Sequence, residues 1–509
     1  MWARFKKMVV TGAIGFAIFI LGLTLLFSFP VLFRYLLYEN LPLKNGSISY
    51  KMWKNIPIPI YQRIYFFNMT NPEEFLQKGT KPKLQELGPY TYRSWWVKRN
   101  ITWHHNDTVT YREKKKNIFL PELSTGSEND LITTINFPLV AAAAWLRNAN
   151  SVEKISASIA FFLLKETVFI RRSVRQLTYE GYHDYLTEIA SLINPDIPKT
   201  RGYFGWLYGR NNSDDGVFTV FTGKDKINKF NLIESWNGAS SLKYWNGTCN
   251  QIEGTNGELN PPLKEGQDTI TIFQPDLCRS WKLEYKEEIK NFGMKSRRFT
   301  VKTSVLANST ENPENSCFST RRHLPSGVMD MSPCKYGSPV GLSLPHFYRA
   351  SPSYLKAVEG LQPNESRHEF FLDVHPVSGL STNIGARFQI NAILEQDKII
   401  RQFSNITELV LPILWQEVTG FMTKELVEEL IRDMENPPFY ASICSYCLLA
   451  VGGLLLLIAT SLFFYHRIGT RQQSRRGSPL LKDEDRLEEN HSTKPQTFPE
   501  INGHTAGDV

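Results

Sequence analysis

Residues 8–33 read MVVTGAIGFAIFILGLTLLFSFPVLF, and residues 441–464 read ASICSYCLLAVGGLLLLIATSLFF. Each apolar run is long enough to cross a hydrocarbon core of about 30 Å, which takes roughly 20 helical residues. The chain is therefore expected to span a membrane twice. The stretch between the runs then lies on one side, with both tails on the other. That topology excludes most soluble-enzyme readings.

Charge sets the orientation. Arg4, Lys6 and Lys7 precede the first run, while His466, Arg467, Arg471, Arg475 and Arg476 follow the second. Basic flanks stay in the cytoplasm, so both termini are expected inside. The first run exceeds a signal-peptide core, and Phe29-Pro30-Val31-Leu32 offers no small-residue cleavage site. The second is followed by a polar tail, unlike a glycolipid-anchor signal, which ends its chain. The expected divisions are a cytoplasmic segment 1–7, a span 8–33, an ectodomain 34–440, a span 441–464 and a disordered cytoplasmic tail 465–509.

Glycan sequons agree with this orientation. They head at Asn45, Asn68, Asn100, Asn106, Asn211, Asn246, Asn308, Asn364 and Asn405, all in the ectodomain. Asn490 heads another in the inside tail and is expected to stay unmodified. The formal charge of +8 belongs partly to the membrane flanks, and the outside location makes nucleic acid an improbable partner. Cys249, Cys278, Cys317 and Cys334 form an even set in an oxidising compartment, so two disulfides are expected. Four cysteines allow three pairings, and spacing does not choose among them. Their separations do not suit zinc. Cys444 and Cys447 read as small packing residues of the second span.

Strand patterning recurs at Lys51–Phe67, Tyr90–Val97, Asp107–Tyr111, Val217–Thr222, Thr269–Phe273, Phe299–Val305, Phe370–Val374 and Ala386–Ile393, with a turn at Gly88-Pro89. Short strands between Gly, Pro and Asn turns suggest an antiparallel sheet or barrel. Helices are expected from Phe137, over Ser151–Val174 and Tyr182–Leu192, and over Thr423–Glu435. Ser151 with Lys154 falls short of a capping box, although Glu153 favours the first turn.

Several stretches resemble the class B scavenger receptors, the family of a fatty-acid translocase, a high-density-lipoprotein receptor and a lysosomal integral membrane protein. They are MWKNIPIPIY at 52–61, FFNMTNPEEF at 66–75, LQELGPYTYR at 84–93, DDGVFTVFTGKDKI at 214–227 and CNQIEGTNGELNPP at 249–262. DLCRS at 276–280, LPHF at 344–347, LDVHPVSG at 372–379 and LPILW at 411–415 complete the set. The resemblance covers essentially the whole ectodomain. It implies an α+β fold: a large antiparallel β-barrel with an apical helical bundle and an internal apolar tunnel, anchored by the two spans. It also implies the pairings Cys249–Cys317 and Cys278–Cys334. Many relatives have a third bridge that begins two residues after Cys317; Ser319 stands there, so that bridge is absent and the loop 319–333 is expected to be looser.

Lys154, Lys165, Arg171, Arg172 and Arg175 fall in the segment that resembles the family's apical helices. There they would attract anionic particles, oxidised phospholipid or fatty-acid carboxylate; a solvated helix face is the plainer alternative. Beside them, Phe161 or Leu164 would line a tunnel entrance or touch a lipid particle, with core packing as the alternative. His104, His105, His346, His368 and His375 lack metal spacing, and no nucleophile elbow occurs. No catalytic, cofactor or metal site is expected. In the tail, Leu480 and Leu481 resemble a dileucine sorting signal.

The expected partners are lipids (sterols, cholesteryl esters, fatty acids and phospholipids), lipoprotein particles or other anionic ligands, the bilayer, and a second copy of the chain. The leading reading is a plasma-membrane receptor that transfers lipid passively. The alternatives are an endosomal or lysosomal glycoprotein that binds a protein cargo, and a phagocytic receptor.

Overall fold

The computed structural model describes residues 2–193, 197 and 200–476. Leu480, Leu481 and Asn490 lie outside the described residues. Two compact units form, one holding residues up to Ser28 and from Ala441 onward, the other holding Phe29–Tyr440.

In the first unit, the helices Trp2–Asn40 and Asn436–Arg476 contribute their apolar runs. Only 6% and 11% of their most hydrophobic windows are buried, so neither is the core helix of a soluble domain. Glycines let the two backbones touch. A Cβ on Gly452 would lie 2.6 Å from Phe19 N and 2.9 Å from Gly15 O, and one on Gly15 would lie 2.8 Å from Leu455 Cβ. Close approach through small residues is how helices associate in lipid, where apolar burial supplies no drive.

The second unit is built on a 13-stranded sheet whose pairings are all antiparallel. From one edge its main path runs Thr269–Gln274, Arg279–Asn291, Met294–Val301, Phe371–Val374, Ser381–Leu394 and Leu409–Phe421. It continues through Ile60–Met69, Leu84–Trp103, Thr108–Phe119 and Ser213–Phe221 to Ile233–Trp236. The two edge strands do not pair with each other, so strand pairing alone leaves the path open. Both edges nevertheless meet one segment. Ile233 N donates to Gly254 O at 2.8 Å, while Thr255 N donates to Thr271 O at 3.1 Å and Phe273 N to Thr255 O at 2.8 Å.

Large apolar side chains, among them Trp53, Phe66, Trp281 and Trp415, fill the core of this unit. Cys249–Cys317 and Cys278–Cys334 are disulfide-bonded, with Cα separations of 5.9 and 6.3 Å.

Several local readings need correction. Lys51–Lys54 is helical, not extended, because the Ser47 side chain caps a helix Ile48–Lys54 by accepting from Tyr50 N at 3.1 Å. Gly88-Pro89 is not a turn but an irregularity inside the strand Leu84–Trp103. The register shifts opposite it between Ile64 and Phe66, and a Cβ on Gly88 (φ +132°) would lie 2.7 Å from Ile64 O. The expected strand at Phe299–Val305 starts earlier, at Met294, and gives way to a 3₁₀ turn at Thr303–Leu306.

The helix expected over Ser151–Val174 stops at Leu163. Lys165 adopts φ +59°, Glu166 N returns to Phe161 O at 2.8 Å, and Phe169–Ser173 becomes a strand paired with Leu131–Ile135. The β-branched and aromatic run Thr167-Val168-Phe169-Ile170 suits a strand better than a continued helix. The helix also starts from a cap the sequence reading missed by one residue. Asn150, not Ser151, is the N-cap, and its side chain and that of Glu153 bond reciprocally to form a full capping box.

Candidate functional site

Alternation along strands makes the first candidate site. Ile60 and Gln62, Ser94 and Trp96, Lys115 and Asn117, and Ile272 and Gln274 all line one cavity of about 240 Å³. Ile384, Ala386 and Phe388 line it too, together with Gln416, Val418 and Gly420. Each set comes from every second residue of one strand, the period at which side chains share a face. Met52, Ile58, Leu380, Met422 and Leu426 add further apolar surface. The wall is mostly apolar and suits a hydrophobic guest.

Lys115, Arg210, Asp215, Glu258 and Asp276 carry charge on this wall, and Lys98 and Glu113 join them from behind it. Lys98 is fully buried, with Nζ 2.8 Å from Glu113 Oε2 and 2.5 Å from Glu258 Oε2, over the rings of Trp53 and Tyr111. Burial disfavours the ammonium, yet the two carboxylates outweigh it and hold its pKa above the ordinary lysine value. Burial and the charge of Glu113 together push the Glu258 carboxyl upward. Burial also opposes ionisation of Glu113, but Lys98 and Lys115 hold that carboxyl down. Lys115 reaches Asp215 at 2.5 Å, and Arg210 bonds both Asp215 and Asp276. These cations are already matched by acids.

The second candidate site is the cationic segment, and the structure divides it. Lys154 is half-buried and ion-paired to Asp397 at 2.8 Å. The Arg172 guanidinium lies 4.8 Å from the centre of the Tyr182 ring and donates to Arg171 O. Arg175 is exposed, 3.8 Å from Glu180. Lys165 and Arg171 are exposed and have no ion-pair partner among the described residues. Sequence placed five cations together; two of them, Lys165 and Arg171, are both exposed and without an ion pair among the described residues.

The neighbouring helices in sequence also carry exposed apolar residues. Val152, Ile155, Ile159, Phe162 and Leu163 are exposed along the helix Ser151–Leu163, and Tyr185, Ile189, Leu192 and Ile193 along the helix Tyr185–Ile193. Leu164 is exposed as well, whereas Phe161 is buried in the core, in keeping with the plainer alternative for that residue.

A protein-family model described as the CD36 family matches residues 13–463. The chain belongs to the CD36 family. It is similar to scavenger receptor class B member 1 of Bos taurus, 37% identical over 448 residues that cover 88% of this chain and 87% of that protein. The same receptor of Sus scrofa is 35% identical over 462 residues, 90% of each chain. Lysosome membrane protein 2 of Rattus norvegicus is 34% identical over 430 residues, 83% of this chain and 87% of that one. The family and the two apolar helices make the chain a membrane protein.

Within this CD36-family chain, seven of the nine sequon asparagines are exposed, while Asn68 and Asn308 are half-buried. Glu86, His346 and His368 bring ligand atoms within 4.8 Å of one another. Their hydrogen bonds argue against a metal. His346 Nδ1 accepts from Gln362 N and His368 Nδ1 accepts from Asn364 N, so each neutral ring carries its proton on Nε2, the nitrogen a metal would need. His346 Nε2 donates to Glu86 instead, and Trp415 and Arg367 donate to the same carboxylate.

The Lys98 network was missed in the sequence, although a signal for it existed. Tyr90, Tyr92, Ser94, Trp96 and Lys98 share one strand face, and Val109, Tyr111 and Glu113 share the facing one. Extending the alternation from the buried tyrosines puts Lys98 inside.

Proposed function

We propose that this chain is a membrane receptor that captures lipid-bearing or anionic particles and passes hydrophobic cargo through its cavity toward the bilayer. The observation that carries the reading is the cavity lined by alternate residues of several strands. The bonds from both sheet edges to Gly254-Thr255 favour a barrel closed through that segment, with the cavity as part of its tunnel. Both ends of the cavity-bearing unit continue in sequence into apolar helices, which makes the bilayer the natural destination. Burial offers about 0.8 kcal/mol per CH₂ relative to water, so an apolar conduit removes the aqueous barrier without an energy source. Transfer would run down a gradient.

Lys165 and Arg171, with the exposed apolar helix faces, form the proposed capture surface. The similarity to relatives named scavenger receptor class B member 1 supports a receptor role. The similarity to lysosome membrane protein 2 keeps a second reading, an endosomal or lysosomal glycoprotein with a protein cargo.

The test is to express the tagged chain, locate it, and measure uptake of labelled cholesteryl ester, fatty acid and whole particles. Selective lipid uptake at the cell surface that is lost in Ala386→Trp, with particle binding kept, supports the transfer reading. Strictly internal residence favours the second reading, and engulfment without selective lipid uptake rejects transfer.

A further inference from the structure

Arg279 does not line the cavity described above but a second one of about 320 Å³. It is buried, yet no carboxylate among the described residues lies within ion-pair distance. Its Nη1 donates to Val305 O at 3.2 Å and to Met329 Sδ at 3.4 Å, and the guanidinium lies 3.6 Å from the centre of the Phe318 ring. Nε has no acceptor, and Nη2 makes no hydrogen bond among the described residues. A buried guanidinium without a counter-charge is costly, and burial alone pulls its pKa down to about 9.

Neighbouring acids cannot supply the missing charge. Asp330 is held by Arg322, Thr320 and the backbone N–H of Ser332, and Glu395 is divided among Arg147, Arg321 and Arg322. Arg322 lines the same cavity with its own Nε buried and unpartnered. Two arginines, each with an unpartnered Nε, therefore line one space. The open Nε and Nη2 edge of Arg279 is the fork that matches two oxygens of one anion.

We propose that the cavity walled by Arg279, Arg322 and Phe318 is a binding site for a compact oxyanion, a carboxylate, phosphate or sulfate group held bidentately by Arg279. The group can come from a free anion or from an amphiphile's headgroup, since the fork reads only the oxygens. This site does not depend on the lipid-transfer reading.

The test uses the full chain purified in detergent at constant ionic strength. Binding of inorganic phosphate, sulfate, acetate and a short-chain phosphatidic acid is followed by calorimetry and by thermal melting, with chloride as the reference. Saturable oxyanion binding that raises the melting temperature is expected. Arg279→Met should weaken it about tenfold or more, because charge-assisted bidentate bonds are lost. Arg279→Met should still fold, since it removes an unpaired buried charge. If it does not fold, Arg279→Lys, which keeps the charge without the fork, and Ser319→Phe, which fills the cavity, must each weaken binding. Preference for phosphatidic acid over inorganic phosphate would identify a headgroup site, and the reverse a free-anion site. No saturable binding, no preference over chloride, or equal affinity in the folded variants overturns the proposal.

Discussion

Lys98 and Lys165 illustrate two regions that treat the same charge in opposite ways. Around the cavity, Lys98 sits directly across the ladder from Glu113 and also meets Glu258, with none of its side chain exposed. On the outer segment 151–175, cations that crowd together in sequence are separated by a helix stop at Leu163 and a strand from Phe169. The strand interior fixes what each alternate side chain must face. The outer segment leaves some charges free because no described residue packs over them. Buried ions that are paired, such as Lys98, are therefore structural, and exposed unpaired ones are the candidates for capture.

The comparison breaks most sharply at Lys98. Lys98→Met leaves Glu258 buried without its cation and Glu113 with Lys115 alone, 3.7 Å away, and removing one partner of such a pair typically costs about 3–5 kcal/mol. Chemical denaturation of the full chain should show that loss, whereas Lys165→Met should change stability by less than about 0.5 kcal/mol. Comparable effects of the two changes would end the distinction.

Acid sharpens it next. Burial first, and then the nearby Arg367 guanidinium, depress the His368 pKa from 6.5 to about 3. The unfolded chain then binds a proton that the folded one refuses. Stability is full above the unfolded value and is lost as pH falls from about 6.5 toward 3, by about 1.4 kcal/mol per unit within that window. Thermal melts at neutral pH and at pH 5 should show the decline, and His368→Gln should flatten part of it.

Binding gives a smaller effect. The charge reversals Lys165→Glu and Arg171→Glu together should weaken capture of anionic particles by about tenfold at low salt, less at physiological salt, with unchanged surface expression. Lys154→Met should leave capture intact, because its charge is already committed to Asp397. It should cost no more than about 1 kcal/mol of stability. Equal loss of binding in both variants would restore the five-residue cluster as a functional unit.

Much of the fold was legible without coordinates. The two apolar runs, most strand positions and the family motifs needed only local pattern. The misread elements share a physical cause: a helix cap at Ser47, a positive φ at Lys165 and a bulge at Gly88 each override the pattern of their neighbours. Of the candidate sites, Lys98 was within reach of period-2 reasoning, but Arg279 was not. Its isolation depends on where Asp330 and Glu395 are already engaged.

By itself the sequence determined two membrane-length helices, an oxidised middle with even cysteines, and membership of a family through ordered motifs. Each follows from composition or from spacing within a few turns or strands. Only the tertiary structure decided which charges are free. Lys98 and Glu258 are 160 residues apart, and their contact exists because strand order folds one onto the other. Pattern is local, whereas the pairing of a charge is set by whatever the chain brings back to it.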